Sequence, residues 1–385
     1  MSKTILVAGC NGYIGNALVL RLLSKGHKVI GIDNDIKEKW LKEIDSFSVM
    51  PTYLVKDKIK ALKKIGNYTF HRLCAVMEWP EIKALIQKHS PDTIVNLAQQ
   101  PSAAFSQKSL THATETFVNN NIGTLNFLHM IRDINPNIHY IEIESMGTYQ
   151  PEIGVPIPEG LFQFEFKGKK SKPSLFPRRA GSWYHASKVN NTYSLDAANR
   201  WWNLTITAIN QGIVYGNYTP EIEETKIHSP LYVDECFGTV VNRFIVQMLL
   251  EYPLTVYGEG NQKRGFLSLN DSIQCLELLI DTAPTNGLFR IVNQLDQLWS
   301  INDIANEVDF YRRTNTMLKG GIETIDDPRI ECTSKFYYGP ETDILKDLGF
   351  KNTRSIQTEI DFALQNIDMD ILEHFRKHII PKIKW

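Results

Sequence analysis

Three groups of residues in this chain have the types and spacing that chemistry needs. In Tyr184-His-Ala-Ser-Lys188 a phenol and an ammonium stand four residues apart, so both lie on one face of a helix. A free phenol titrates near pH ~10 and is a poor base at neutrality. A neighbouring ammonium, or an oxidised nicotinamide ring, favours the phenolate and moves it toward the range where general-base catalysis works. Ser145 lies 39 residues earlier and ends an apolar strand pattern, supplying a hydroxyl where doubly wound sheets hold their ligands. The third group is Gly9-x-x-Gly12-x-x-Gly15, directly after the apolar run Thr4–Ala8. Its first glycine permits the tight strand-to-helix turn, the second lets backbone approach a pyrophosphate, and the third lets helix pack on strand. The helix N-terminus then favours the anion. Asp33 follows 18 residues past Gly15, where a carboxylate accepts the ribose hydroxyls of NAD and repels the phosphate of NADP. Only Asn34 and Asp35 come after it, with no arginine, so the expected cofactor is NAD.

Positioning these residues takes a parallel sheet covered on both faces, and the first half of the chain alternates strand and helix patterns accordingly. Strands are expected at Thr4–Ala8, 28–32 (ending at Asp33), 68–76, 93–97, 139–145 and 204–210. Helices are expected at 13–25, near 80–89 and 107–133, and from Tyr184 to about Trp202. Residues 36–65 are lysine-rich, with Trp40, Leu41, Ile44, Ile59 and Leu62 at helical spacing, and read as a solvated helical excursion. Phe162, Phe164 and Phe166 alternate with polar residues before Lys167-Gly-Lys-Lys-Ser-Lys172, which reads as a hairpin with a solvated basic turn. The expected fold is α/β, a doubly wound parallel sheet of the Rossmann type with a smaller C-terminal α/β substrate lobe. Residues 1–216 would form the NAD-binding domain, with insertions at about 36–65 and 151–180. Residues 217–385 would form the lobe, with chain crossing back to the sheet.

Composition bounds the rest. With 43% hydrophobic and 22% charged residues the chain reads as globular, and a net charge of −1 offers no footprint for nucleic acid or acidic membranes. No apolar run is long enough to span a bilayer, and the residues before Ile5 are too few for a signal peptide. The five cysteines are scattered without metal spacing, so no metal site is expected and a reducing cytoplasm suits them.

On these motifs the chain resembles the extended short-chain dehydrogenase/reductase superfamily of nucleotide-sugar epimerases and dehydratases, and within it the branch that forms UDP-sulfoquinovose. The resemblance runs almost end to end. It includes Asn119-Asn-Asn-Ile-Gly-Thr-Leu-Asn126, Ser145-Met-Gly147, Trp183-Tyr-His-Ala-Ser-Lys188 and Asn210-Gln-Gly-Ile-Val-Tyr-Gly216. It continues through Phe237-Gly-Thr239, Asn242-Arg243, Pro253-Leu-Thr-Val-Tyr-Gly-Glu-Gly260, Arg264-Gly265, Asn293-Gln294 and Asp327-Pro-Arg-Ile-Glu331.

The resemblance implies UDP-glucose as substrate, tightly held NAD, and a homodimer through helices near 107–133 and 184–202. Tyr184 would take the proton of the sugar 4-hydroxyl as hydride leaves C4. The 4-ketone would acidify C5, loss of the C5 proton and the 6-hydroxyl would give a 4-keto-5,6-ene, and sulfite would add at C6. Ser145 would hydrogen-bond the 4-oxygen, and Lys188 would tune Tyr184 and hold the nicotinamide ribose. His185 would shuttle the proton at C5 or C6, histidine being the side chain that exchanges protons near neutrality. Asn11, Tyr13, Ile14, Asn34, Val76, Asn120 and Gln211 would join Gly9, Gly12, Gly15, Asp33 and Lys188 around NAD, Asn120 also buttressing the helix behind the site. Gln100, Met146, Gly147 and Asn210 would line the sugar side. Thr239 would contact uracil, Tyr257 would flank the nucleotide, and Arg264 and Arg329 would neutralise the diphosphate.

Three positions depart from that pattern. The family's arginine after Gln100 is Pro101, its glutamate after Met-Gly is Thr148, and the usual aspartate at adenine is Ala75. Without that glutamate, the proton for the departing 6-hydroxyl must come from His185, Glu144 or the substrate. The alternatives left open are a UDP-sugar 4-epimerase, a 4,6-dehydratase without sulfonation, and a non-catalytic NAD-binding sensor.

Overall fold

Apolar runs separated by helices build the first half, with every connection between sheet strands carrying at least one helix. The elements are β1 (Thr4–Ala8), α1 (Tyr13–Ser24), β2 (Lys28–Asp33), α2 (Ile36–Glu43), α3 (Val55–Ile65), β3 (Tyr68–Arg72), α4 (Trp79–His89), β4 (Thr93–Asn96), α5 (Ala103–Gln107), α6 (Leu110–Phe117), α7 (Gly123–Ile134) and β5 (His139–Ser145). A π-helical turn, Val118–Ile122, joins α6 to α7. There follow β6 (Glu165–Phe166), β7 (Lys169–Lys170), α8 (Trp183–Trp202), β8 (Ile206–Gln211), β9 (Ile213–Tyr215), α9 (Pro220–Thr225), α10 (Val240–Leu249), β10 (Leu254–Tyr257), β11 (Lys263–Ser268), α11 (Leu269–Asp281), β12 (Phe289–Gln294), β13 (Gln297–Ser300), α12 (Ile301–Asn315), β14 (Ile322–Ile325), α13 (Asp343–Asp347), α14 (Ile356–Asn366) and α15 (Met369–Phe375). The structure, a computed structural model, describes residues 2–149, 155–327 and 339–376.

Seven strands form one parallel sheet in the order β12-β8-β5-β4-β1-β2-β3. Its inner strands β1, β2 and β4 are buried on both faces, which is why they read as apolar runs rather than alternating ones. The outermost strand on one side, β12, comes from the C-terminal half of the chain and pairs with β8 from Phe289↔Ile206 to Gln294↔Gln211. Outside this sheet, β11 pairs with β9 and β13, and β10 with β14. The 162–174 segment is a hairpin as expected, with β6 antiparallel to β7 and Phe162 bridged to Ser174.

The 36–65 insertion is helical as expected, but it is not a solvated excursion. Trp40 and Leu41 of α2 and Leu62 of α3 are buried. Trp40 packs on Phe105 and Phe237, ring centroids 5.4 and 6.5 Å away. The connecting loop is stitched to residues 231–234: Val49 N donates to the Leu231 carbonyl (2.9 Å), and Ser46 Oγ to Asp234 Oδ2 (2.7 Å). Helical spacing revealed the apolar stripe but not the distant segment it packs against.

Candidate active site

A cleft of about 960 Å³ opens at the C-terminal ends of the parallel strands, and stretches from both halves of the sequence wall it. Gly9, Asn11, Gly12, Tyr13, Ile14, Gly15, Asp33, Asn34 and Val76 line one end; Ser145, Met146, Gly147, Tyr184, His185, Lys188 and Gln211 the middle; Thr239, Tyr257 and Arg264 the other end.

At the first end the glycines are obligatory. Gly9 has φ +79°, and a Cβ there would fall 2.6 Å from Leu97 backbone, while one on Gly15 would fall 2.0 Å from the Gly9 carbonyl. The Asp33 carboxylate accepts from Asn11 N (2.9 Å) and Asp35 N (2.8 Å), which aims it at the turn. Burial pushes its pKa up, while those two N–H groups pull it back. Asn11 is itself held by Lys58 Nζ (3.2 Å) and donates to Asp35 Oδ1 (2.7 Å), so the insertion braces the glycine turn. Where Ala75 replaces the usual aspartate, Asn126 Nδ2 instead holds the carbonyls of Ala75 (2.8 Å) and Val76 (3.2 Å). This cradle and carboxylate fit a dinucleotide. Lys58 and Asn126 were missed because each acts from a helix remote in sequence.

In the middle, Ser182 caps α8 through its Oγ, which accepts from His185 N (3.2 Å) and places Tyr184 in the first turn of the helix. Tyr184 is hydrogen-bonded to Ser145, so the two expected partners meet. Burial, then the Glu144 charge, raise the phenol above its ordinary pKa, and the Ser145 hydrogen bond pulls it back. The Lys188 ammonium donates to the Ile143 carbonyl (2.5 Å) and Gln99 Oε1 (3.1 Å) and stands 4.0 Å from Glu142; it is not among the groups that shift the phenol here. His185 Nδ1 is hydrogen-bonded to Ser182 Oγ (2.9 Å), and its Nε2 lies over Gly147, where a Cβ would come within 2.2 Å. Glu144 is 1% exposed and neither carboxylate oxygen has a hydrogen-bond partner among the described residues. Burial drives its pKa well above the carboxylate range, with Lys188 and Arg178 opposing.

At the far end the Tyr257 hydroxyl accepts from Arg243, whose guanidinium stacks 4.1 Å from that ring. Arg243 lines the cleft too. Thr239 Oγ1 is buried without a protein partner among the described residues.

Three expected contact residues, Gln100, Asn120 and Asn210, stand behind the cleft wall. Gln100 is fully buried, donating to Ser102 O (3.0 Å) and Thr116 Oγ1 (2.7 Å), because the chain turns its amide inward beside Asn120. Asn120 sits behind the wall: its Nδ2 donates to Ser187 Oγ (2.9 Å) and its Oδ1 accepts from Gln100 N (2.7 Å), tying α8 to the sheet. Asn210 is also buried behind the wall, donating to Asn293 Oδ1 (3.0 Å) and Tyr149 OH (3.3 Å). Arg329 lies outside the described residues. Gln211 does reach the cleft, but its amide is turned to Ser272 (3.0 Å) and Gln294 (2.8 Å).

Fold and site define a class. Residues 5–293 match the NAD-dependent epimerase/dehydratase family, and the chain belongs to that family of enzymes, with NAD as cofactor. The chain is similar to UDP-sulfoquinovose synthase of Sulfolobus acidocaldarius, 37% identical over 99% of this chain and 97% of that one. It is 31% identical to the chloroplastic UDP-sulfoquinovose synthase of Spinacia oleracea, over 100% of this chain and 79% of the relative. Among solved structures, a UDP-glucuronic acid 4-epimerase from Bacillus cereus in complex with UDP-glucuronic acid and NAD shares the fold at TM-score 0.69 and 19% identity, over 97% of this chain and 99% of that one.

Proposed function

We propose that this enzyme makes UDP-sulfoquinovose from UDP-glucose and sulfite. The observation that carries the proposal is near end-to-end similarity to two UDP-sulfoquinovose synthases in a chain whose Ser145, Tyr184 and Lys188 converge in one cleft. Bound NAD would supply a reversible acceptor for the hydride at C4 of the sugar. Asp33 would hold its ribose, and Lys188 the nicotinamide side. Tyr184 accepts the 4-hydroxyl proton, with Ser145 donating to the 4-oxygen; a phenol raised by burial needs the positive charge of the oxidised cofactor to reach its working range. At the 4-ketone His185 removes the C5 proton, and the 6-hydroxyl leaves as water with a proton from a second acid. The sulfite sulfur then bonds C6 while C5 regains its proton.

Thr239 is assigned to the uracil, and Arg264, Arg243 and Arg329 to the diphosphate. Residues 1–216 would carry NAD, and 217–385 the sugar nucleotide. Exposed Leu110 on α6, Val118 and Ile122 on the π-helical turn and Leu125 on α7, with Tyr193 and Trp201 on α8, support a homodimer through these helices. Among the described residues no helix is long and apolar enough to cross a membrane. The four described cysteines are free, which supports a reducing cytoplasm.

Pro101 and Thr148 favour the second reading, a UDP-sugar 4-epimerase or a 4,6-dehydratase without sulfonation. The deciding experiment incubates the protein with UDP-glucose in deuterated water, with and without sulfite, and weighs the products. A sulfite-dependent sulfonated nucleotide sugar is expected. Deuterium exchange or water loss without sulfonation means a dehydratase, and UDP-galactose with no carbon-bound deuterium means an epimerase.

A further inference from the structure

Under the function proposed above a small oxoanion has to be held near C6, and Pro101 stands where the resemblance expects an arginine. The segment before α8 brings another one to the C-terminal ends of β5 and β8. Arg178 Nη1 donates to Thr148 Oγ1 (2.7 Å) and Asn210 Oδ1 (3.2 Å), and its guanidinium stacks 4.5 Å from the Tyr149 ring, which lines the cleft. Thr148 Oγ1 in turn donates to the Ser145 carbonyl (2.8 Å), so the guanidinium is one hydroxyl removed from Ser145.

The other edge of that guanidinium is unused. Nε and Nη2 are buried and have no hydrogen-bond partner among the described residues. Orphaned buried donors on a cation are rare and call for a partner. The Nε–Nη2 edge presents two parallel N–H groups, the fork that binds oxoanions bidentately. Glu144 is close enough for its charge to feel Arg178, yet both of its oxygens are unpartnered, so the two side chains do not close on each other.

We propose that the Nε–Nη2 edge of Arg178, behind Thr148 and Tyr149, is the subsite for a small sulfur oxoanion. Sulfite is that anion under the function proposed above, on which this assignment rests. Thr148 then has a use that the glutamate expected there could not serve, because a carboxylate would pair with Arg178 and quench it. Asn210, found off the cleft wall, helps hold Arg178 in place.

The test isolates binding from turnover. In a Tyr184→Phe background loaded with NAD and UDP-glucose, sulfite is titrated by calorimetry. Saturable binding is expected, weakened about tenfold or more by added Arg178→Gln and only partly restored by Arg178→Lys, which keeps the charge but not the fork. UDP-glucose affinity should change far less than sulfite affinity. Equal sulfite affinities with and without Arg178, or no saturable binding in the Tyr184→Phe protein, overturn the assignment. A crystal structure of the Tyr184→Phe protein with sulfite decides it even if Arg178→Gln does not fold: an anion oxygen on Nε or Nη2 supports the subsite, and an anion elsewhere overturns it. Sulfite bound at Arg178 in a protein whose wild type yields no sulfonated sugar would leave this subsite standing and remove the proposed function.

Discussion

Gly147→Ala tests whether His185 carries the C5 proton. An alanine Cβ would lie 2.2 Å from His185 Nε2, 2.6 Å from Cδ2 and 3.0 Å from Cε1. Ordinary carbon contacts begin near ~3.5 Å, so the imidazole must recede by about an ångström. The Gly147 side cannot yield instead, because its N–H donates to Ser145 Oγ at 3.1 Å and moving it displaces the serine that meets Tyr184. The ring is held from the other side by Ser182 Oγ at 2.9 Å, a bond worth ~1 kcal/mol that the shift stretches. Misplacing a reacting group by ~1 Å costs about a hundredfold in rate. Deuterium incorporation at C5 of UDP-glucose, read without sulfite, should therefore fall about a hundredfold, with a loss of stability of only ~1 kcal/mol. The contact makes the effect non-additive, so in a His185→Ala background the same alanine should cost less than about threefold. An undiminished exchange rate in the single variant refutes the reasoning, as does an equal cost in both backgrounds.

Lys58→Met removes the brace on Asn11 and should weaken NAD binding to the stripped protein about tenfold; unchanged affinity would mean that the insertion does not support the glycine turn. Burial, aided by the charges of Arg290 and Lys3, lowers His139 to about 3, so the folded state holds it neutral. The unfolded chain takes up that proton below about pH 6.5, so stability present above that value is lost as pH falls toward 3. His139→Gln, which can keep a hydrogen bond to Thr207, should flatten this acid limb in thermal melts, and an identical pH profile would contradict the assignment. Leu125→Glu with Tyr193→Glu puts carboxylates on the exposed apolar face of α7 and α8 and should yield a monomer in sedimentation; an unchanged assembly would exclude that face.

Much of this protein is written locally. The apolar run before Gly9, the glycine spacing and the acid ending β2 dictate a nucleotide turn, because steric freedom and strand-to-helix geometry depend on adjacent residues. The four-residue step from Tyr184 to Lys188 likewise follows from helix pitch, and β5 ends at Ser145 where its apolar pattern ends. What side chains meet across the fold could not be read this way. Helical spacing found Trp40 and Leu41 but not their burial beneath residues 231–237, since a stripe says only that something covers it. Gln100 and Asn210 are polar residues near strand ends, and which way they face depends on how neighbouring chain packs against the sheet. Arg178 lies in an irregular segment with no period to mark it, and only the convergence of β5, β8 and α8 gives it Thr148 and Asn210 as partners and leaves one edge bare. Protonation was decided last of all. The sequence supplies Glu144 and Tyr184 as ionisable groups, but desolvation is a property of the assembled site, and it is desolvation that raises the pKa of both.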